Sequence, residues 1–161
     1  MSEQENEQVV REAYAAYLRA DLAAVLNICS EDTEWRACGP PERLPYAGVH
    51  RGRAEVARYF AILDDAEESD NLAPKEFIAK GQKVVVFGEY SARVNANGRR
   101  FATDFVHVFT LRDGKIAGFC DSYDTARAVE AYEGVDVSAW AAFGKEQVRA
   151  VLKDSAGQLS L

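Results

Sequence analysis

The sequence predicts a single α+β domain in which three helices precede an antiparallel run of four longer strands. Apolar residues in the first part of the chain recur at helical spacing, and from Glu76 the apolar period changes from 3.6 to 2 residues. Helices followed by a run of strands are typical of α+β folds. The length of 161 residues suits one domain with a sizeable core.

The N-terminal part alternates helices with short irregular segments. Helices are predicted at residues 8–20, 21–27 and 53–63, with Asp21 as the N-cap of the second helix. The segments between them are a short strand at 33–38, a proline-containing loop at 39–45 and an irregular piece at 48–52. The acidic stretch 64–71 is predicted to be a solvated loop.

The C-terminal half carries the longer strands and two further helices. The strands are predicted at 76–80, 83–95, 100–111 and 115–123, joined by turns at 81–82, 97–98 and 112–114. Asp124 or Thr125 caps a helix at 126–132, and Ser138 caps another at 139–153. We therefore expect a domain at residues 1–133 and a helical extension at 134–161, which serves packing or dimer contact.

Composition excludes several classes of protein. The net charge of −7 argues against a nucleic-acid surface and against docking on anionic lipid, and no apolar run approaches the ~20 residues that span a bilayer. The acidic N-terminus is unlike a secretory signal. Cys29, Cys38 and Cys120 are odd in number and widely spaced, which supports neither a disulfide framework nor a zinc site. We expect a reduced, cytoplasmic protein with no nucleic-acid or membrane partner.

The turn at 112–114 assigns side chains of the last two strands to faces. A three-residue loop with glycine last fits a type I turn plus a bulge, which pairs Leu111 with Lys115. The pairs that follow are His107 with Phe119, Phe105 with Asp121, and Thr103 with Tyr123. One face then carries Phe101, Thr103, Phe105, His107, Phe109, Phe119, Asp121 and Tyr123. A two-residue loop would shift the pairing by one residue and reverse this assignment.

The opposite face of these strands is also fairly apolar. It is predicted to carry Asp104, Val106, Val108, Thr110, Ile116, Gly118, Cys120 and Ser122. A sheet face exposed to solvent would be more polar, so we expect a second subunit to cover it in a homodimer.

His107 and Asp121 are diagonal neighbours in this register and lie in the middle of the aromatic face. A nearby carboxylate would orient the imidazole ring and favour its protonated form. The pair could polarise a carbonyl or transfer a proton near neutral pH. The alternative is a buried histidine that a carboxylate satisfies and that takes no part in chemistry.

A cavity lined by aromatic residues with a few polar groups is the usual form of a small-molecule site. Tyr14 or Tyr17 on the first helix is expected to aim its hydroxyl into the cavity, or to be core. The predicted lining is Tyr17, Trp35, Tyr46, Phe60, Thr103, Phe105, Phe119 and Tyr123. The sequence contains no GxSxG, HExxH or phosphate-binding glycine loop, so neither a metal nor a cofactor is predicted.

Several segments together carry a family resemblance. They are Ala20-Asp21-Leu22, the stretch Ser30 to Trp35, Tyr46 to Gly52, Val106 to Ile116, and Asp121 to Thr125. In this order they resemble the SnoaL-like proteins of the nuclear transport factor 2-like superfamily, which are related to ketosteroid isomerases. The similarity covers about residues 8 to 132.

The resemblance implies a cone-shaped, curved antiparallel sheet wrapped by three helices, a pocket for a hydrophobic ring compound, and dimerisation through the sheet. Ketosteroid isomerases form an oxyanion hole from a tyrosine of the first helix and an acid of the sheet. By similarity Tyr14 corresponds to that tyrosine and His107 replaces that acid. Their base, at the end of the first strand, is replaced by Ala37 or Cys38. Asp121 corresponds by similarity to the acid/base of SnoaL-type polyketide cyclases.

Two functions are compatible with these observations. The first is a cofactor-free isomerase or cyclase that acts on a small hydrophobic, cyclic carbonyl compound through His107, Asp121 and Tyr14. The second is a non-catalytic protein of the same fold: a small-ligand binder, which the missing base at Ala37 favours, or a dimeric scaffold. We rank the enzyme slightly higher because a polar pair inside an aromatic wall is costly to keep.

Overall fold

The computed structural model describes residues 1–134, which form four helices and one six-stranded sheet. In chain order the elements are α1 (Glu3–Leu18), α2 (Leu22–Ile28), β1 (Cys29–Ala37), β2 (Gly48–Arg51), α3 (Gly52–Ala66), β3 (Glu67–Lys80), β4 (Lys83–Val94), β5 (Arg100–Arg112), β6 (Lys115–Tyr123) and α4 (Thr125–Glu133). The helix predicted at 139–153 lies outside the described residues. None of the helices within 1–134 is long and apolar enough to cross a membrane.

The strands form one curved, open sheet in the order β2-β1-β6-β5-β4-β3. Neighbouring strands are antiparallel except for β1 and β6, which run parallel. The predicted α+β class is thus confirmed. The sheet is mixed because β1, the first strand in the chain, lies beside β6, the last strand, and runs parallel to it. This pairing brings the end of β1 next to the C-terminal part of β6, where Asp121 lies.

The first two helices begin at side-chain caps, whereas α3 and α4 have no side-chain cap hydrogen bond, so the predicted capping role of Asp124 or Thr125 is not seen. Ser2 and Glu5 form a capping box that starts α1 five residues before its predicted first residue. Asp21 caps α2 as predicted, because its carboxylate accepts the Ala24 N–H at 3.0 Å. Helix α1 packs against β3, and α3 packs against β1. The helices therefore cover the inner face of the sheet.

The acidic stretch 64–71 is not a loop, and that prediction was wrong. Helix α3 continues to Ala66, and β3 starts at Glu67 and pairs with β4 along its whole length. The residues that follow Glu67 are exposed, as their polarity suggested, but Glu68 and Asp70 form ion pairs with arginines of β4 and β5. An edge strand with one polar side is compatible with solvent, so polarity alone did not distinguish it from a loop.

The segment 48–52 was expected to be irregular, but Gly48–Arg51 is the edge strand β2 and pairs with β1. Trp35 lies opposite His50 in this pair. The His50 Nε2 atom lies 2.9 Å from the Tyr46 carbonyl oxygen, which fixes the histidine beside the preceding loop.

The hairpin between β5 and β6 differs from the predicted three-residue loop. Arg112 pairs with Lys115, so Asp113 and Gly114 form a two-residue loop, and both have positive φ as a type I′ turn requires. A bulge after Ile116 then shifts the register by one residue.

The predicted pairs were therefore wrong, but the predicted inner face is retained. His107 pairs with Asp121 and Phe105 with Tyr123, and the bulge restores the parity that the shorter loop would have reversed. Ile116 is the exception, because it precedes the bulge. It was expected on the outer face, and it is fully buried opposite Leu111.

Candidate functional site

A cavity of about 120 Å³ lies between the helices and the inner face of the sheet. This is well above the roughly 10–15 Å³ that a single water molecule requires. The residues predicted for the site all contribute to its walls: Tyr14, Tyr17, Trp35, Tyr46, Phe60, Thr103, Phe105, His107, Phe119, Asp121 and Tyr123. The structure thus brings these side chains together, while their roles stay predictions.

His107 is bonded to a tyrosine rather than to a carboxylate. Its Nδ1 atom lies 2.6 Å from the Tyr14 hydroxyl oxygen, across the contact between β5 and α1. The Phe105 ring stacks on the imidazole with centroids 3.9 Å apart, and the Phe119 ring meets it edge-on at 5.0 Å. The imidazole is therefore held in place by two aromatic rings and one hydrogen bond.

The hydrogen bond assigns the tautomer of His107. Nδ1 is the acceptor that the Tyr14 hydroxyl reaches among residues 1–134, and a buried hydroxyl without an acceptor is costly. We therefore assign the hydroxyl as donor and Nδ1 as acceptor, which leaves the proton of the neutral ring on Nε2. Within the described residues Nε2 has no hydrogen-bond partner, so its N–H is available to a ligand in the cavity.

Burial keeps His107 neutral. The apolar surroundings lower the pKa of its imidazole from 6.5 to about 3. The prediction that a neighbouring carboxylate favours the protonated ring is therefore wrong, because desolvation outweighs any attraction to Asp121. Burial likewise raises the pKa of the Tyr14 hydroxyl, which stays protonated as the donor.

Asp121 is 7% exposed and occupies the same wall of the cavity. Its Oδ1 atom accepts the backbone N–H of Cys38 at 2.6 Å, because β1 runs parallel to β6 and ends beside it. Burial raises the pKa of this carboxyl, and the Cys38 N–H partly offsets that effect. A carboxylate with a raised pKa is a stronger base than an exposed one.

His107 and Asp121 face each other across the β5–β6 pair, yet neither donates a hydrogen bond to the other among the described residues. Each has its own partner, Tyr14 for the histidine and Cys38 for the aspartate. The two groups therefore do not form a preassembled pair, although a ligand between them could contact both.

The cavity contains a second carboxylate that was not predicted from the sequence. Glu67 is 4% exposed, lines the cavity, and accepts hydrogen bonds from the Tyr90 and Tyr132 hydroxyls at 2.8 and 2.7 Å. Burial raises the pKa of its carboxyl, which the tyrosine hydroxyls partly offset. Its position in an acidic stretch hid it, and no alternation separates it from its neighbours, because Glu68 to Asn71 are all exposed.

The apolar wall consists of packed aromatic rings. Trp35 meets Phe119 at 4.5 Å and Phe60 at 5.1 Å between ring centroids, and Phe60 meets Tyr17 at 5.5 Å. The indole nitrogen of Trp35 is sealed from the cavity and has no hydrogen-bond partner within residues 1–134. Trp35 therefore contributes shape rather than a polar contact.

The described residues contain no group of three or more His, Cys, Asp or Glu side chains placed to hold a metal ion. The polar side chains in its wall are one imidazole, two carboxyls, several tyrosine hydroxyls and the Thr103 hydroxyl. Such groups can bind an organic molecule, polarise a carbonyl and transfer a proton.

A curved sheet wrapped by helices around a largely aromatic cavity defines a nuclear transport factor 2-like fold. The chain belongs to the SnoaL-like domain family, whose sequence profile matches residues 10–119. No curated protein matches the chain.

Solved structures agree with this assignment. A nuclear transport factor 2-like protein from Burkholderia xenovorans is 35% identical, with a TM-score of 0.75, and the match covers 82% of this chain and 98% of that one. One from Burkholderia pseudomallei is 33% identical, with a TM-score of 0.74 and the same coverage. TerC, which was crystallised with polyporic acid, is 30% identical with a TM-score of 0.73, and the match covers 80% of this chain and 98% of TerC.

Proposed function

We propose that the cavity binds a small hydrophobic, cyclic carbonyl compound and that the chain transfers a proton on it, as a cofactor-free isomerase or cyclase. The observation that carries this proposal is the bond between Tyr14 and His107, which leaves the Nε2–H of a neutral imidazole available in an aromatic cavity that also holds Asp121. TerC was crystallised with polyporic acid, which supports a small organic ligand for the similar cavity of this chain.

The proposed reaction uses His107 as a hydrogen-bond donor and Asp121 as a base. The carboxylate removes a proton from the carbon between the carbonyl and a carbon–carbon double bond, and the electron pair of that C–H bond forms a dienolate with its negative charge on the carbonyl oxygen. The Nε2–H stabilises the negative oxygen, as a neutral imidazole can. The protonated Asp121 then returns the proton to the far carbon of the former double bond, so that the double bond moves into conjugation, the carbonyl is restored and the isomerisation is complete.

The second candidate is a non-catalytic ligand-binding protein. It is favoured by the Cys38 N–H, which occupies one oxygen of Asp121, and by Ala37, which stands where related isomerases carry their base. Such a protein would bind the same class of compound and release it unchanged.

Turnover of a β,γ-unsaturated cyclohexenone to its conjugated isomer, followed by ultraviolet absorbance, distinguishes the two candidates. We expect Asp121→Asn to reduce the rate at least about 100-fold, since this is the lower range for a positioned acid or base. Asp104→Asn is the matched control, because Asp104 is an exposed aspartate on the outer face of β5. Binding without turnover in the wild-type chain supports the binding protein, and turnover that survives Asp121→Asn refutes the mechanism.

We also propose that two copies of the chain pair through the outer face of the sheet. Ile78, Val85, Val108 and Cys120 lie in one row across four strands, and Phe87 and Val106 form the next row. Ile78 and Phe87 are 47% and 40% exposed, which is a large apolar surface for a sheet face in water.

We also propose a cytoplasmic location, which agrees with the three free cysteines.

A further inference from the structure

The cavity contains a second polar cluster that the proposed reaction does not use. It consists of Glu67, at the first position of β3, with Tyr90 of β4 and Tyr132 of α4. Tyr90 donates to one carboxylate oxygen of Glu67 and Tyr132 donates to the other. The cluster therefore joins three separate elements around one buried carboxylate.

This cluster lies away from His107 along the sheet. Tyr90 pairs with Thr103, and His107 is four residues further along β5, which corresponds to about 13 Å of strand. The wall between the two polar groups is aromatic and includes Phe105. The cavity thus has two separate polar groups with aromatic rings between them.

Tyr46 and Tyr123 connect the two ends. Their hydroxyl oxygens lie 2.9 Å apart, and both side chains line the cavity. Tyr123 is two residues from Asp121 on the same face of β6 and lies opposite Phe105. Tyrosine hydroxyls therefore line one side of the cavity between Asp121 and Glu67.

The buried carboxylate retains capacity to accept further hydrogen bonds. A carboxylate offers about four acceptor positions: Tyr90 and Tyr132 occupy two of them, and the Tyr46 hydroxyl, which also lowers the pKa of this carboxyl, takes at most a third. Desolvating such a group is costly unless its acceptors are filled. A hydroxyl group on a ligand would fill one of the remaining positions, whereas an anionic group would be repelled.

We propose that Glu67 is a second ligand anchor, which accepts a hydrogen bond from a hydroxyl group at the end of the ligand opposite its carbonyl. This inference rests on the proposed function and narrows its ligand class to hydroxylated cyclic carbonyl compounds. The carbonyl lies at His107, the rings fill the aromatic middle, and the hydroxyl lies at Glu67.

Flavanone and 4′-hydroxyflavanone test the anchor by calorimetric titration. Both contain a ring carbonyl, and only the second carries a hydroxyl at the opposite end. We expect the hydroxyl to tighten binding to the wild-type chain about tenfold, since a hydrogen bond to a charged group has this size. Glu67→Gln should abolish that gain, so that the variant binds the two compounds with equal affinity. Glu68→Gln, which changes the exposed neighbour, should keep the gain.

A measurement on the wild-type chain makes the test independent of the folding of the variant. With carbon-13 in the glutamate carboxyl groups, the Glu67 signal should move when 4′-hydroxyflavanone binds and should stay in place with flavanone. The anchor is refuted, and the proposed function stands, if flavanone binds but the hydroxyl adds no affinity, if Glu67→Gln keeps the gain, or if the Glu67 signal does not distinguish the two compounds. If neither compound binds the wild-type chain, the proposed function fails together with the anchor.

Discussion

Lowering the pH from 7 to 5 should destabilise the folded chain through His107. Burial lowers the pKa of this imidazole from 6.5 to about 3, so between these values the unfolded chain takes up a proton that the folded chain does not. The free energy of unfolding therefore falls as the pH falls through this window. Above pH 6.5 both states are neutral at this position, and the contribution no longer changes.

The magnitude follows from the linkage between proton binding and folding. One proton difference changes the free energy of unfolding by about 1.4 kcal/mol per pH unit. From pH 6.5 to pH 5 the loss is therefore about 2 kcal/mol, which is a large fraction of the stability of a small domain. In His107→Gln this contribution is absent.

Urea unfolding of the wild-type chain and of His107→Gln at pH 7 and pH 5 measures the effect. The buried carboxyls Asp121 and Glu67 act in the opposite direction, because their raised pKa values stabilise the folded state most at low pH and lose that contribution as the pH rises. Both proteins contain these carboxyls, so the comparison between them isolates the histidine. We expect the wild-type chain to lose about 2 kcal/mol more than the variant.

The result that would refute this reasoning is an equal loss in both proteins. A nitrogen-15 NMR titration gives an independent check, because it reports the charge and the tautomer of the ring directly. We expect His107 to stay neutral, with its proton on Nε2, down to pH 5. A ring that becomes protonated above pH 6 would show that a carboxylate, rather than burial, controls it.

Three further predictions concern single contacts. Tyr14→Phe leaves the Nδ1 atom of His107 without a donor and should lower the free energy of unfolding, measured in urea, by about 1–3 kcal/mol. Unchanged stability and an unchanged tautomer would contradict the assigned bond. Gly88→Ala should lower the free energy of unfolding by about 1–3 kcal/mol, because its Cβ would collide with a β3 carbonyl oxygen and the Phe105 ring. Gly118→Ala is the control and should be tolerated, since its Cβ approaches no atom closer than 3.5 Å. Equal effects of the two substitutions would contradict the packing. Phe87→Glu should convert a dimer to a monomer by light scattering, and a wild-type monomer would refute the proposed pairing.

The fold was predictable because local signals and long-range pairing agree over most of the chain. The N-cap at Asp21 and the period-2 pattern after Glu76 each gave the correct element type. The Asp113-Gly114 dipeptide is itself typical of a two-residue type I′ turn, but the bulge after Ile116 has no comparable local signature. The register could therefore be established only from the paired strands.

The sequence was sufficient to predict which residues line the candidate site, but not which of them contact each other. Alternation along β5 and β6 was sufficient to place His107 and Asp121 on one face. It could not identify Tyr14 as the partner of the histidine, because that contact depends on how α1 crosses the sheet. Sequence spacing constrains residues within one element, whereas contacts between elements are determined by packing.

Glu67 shows the same limit, because its burial also depends on contacts between elements. It stands in an acidic stretch where every neighbour from Glu68 to Asn71 is exposed, and it is buried because the chain turns from α3 into β3 at this residue. Two tyrosines from distant parts of the chain, Tyr90 and Tyr132, then donate to its carboxyl, and the hydroxyl of a third, Tyr46, also lowers its pKa. No local sequence pattern predicts that arrangement.

The electrostatic character of the cavity determines which chemistry it can support. Burial lowers the pKa of His107 and raises those of Asp121 and Glu67, so each shift favours the uncharged form of its group. A histidine with a pKa of about 3 is a poor base at neutral pH but keeps an N–H to donate, whereas a buried carboxyl becomes a better base as its pKa rises. In the proposed reaction these shifts, together with the Tyr14 bond, assign the imidazole to polarise the carbonyl and Asp121 to move the proton.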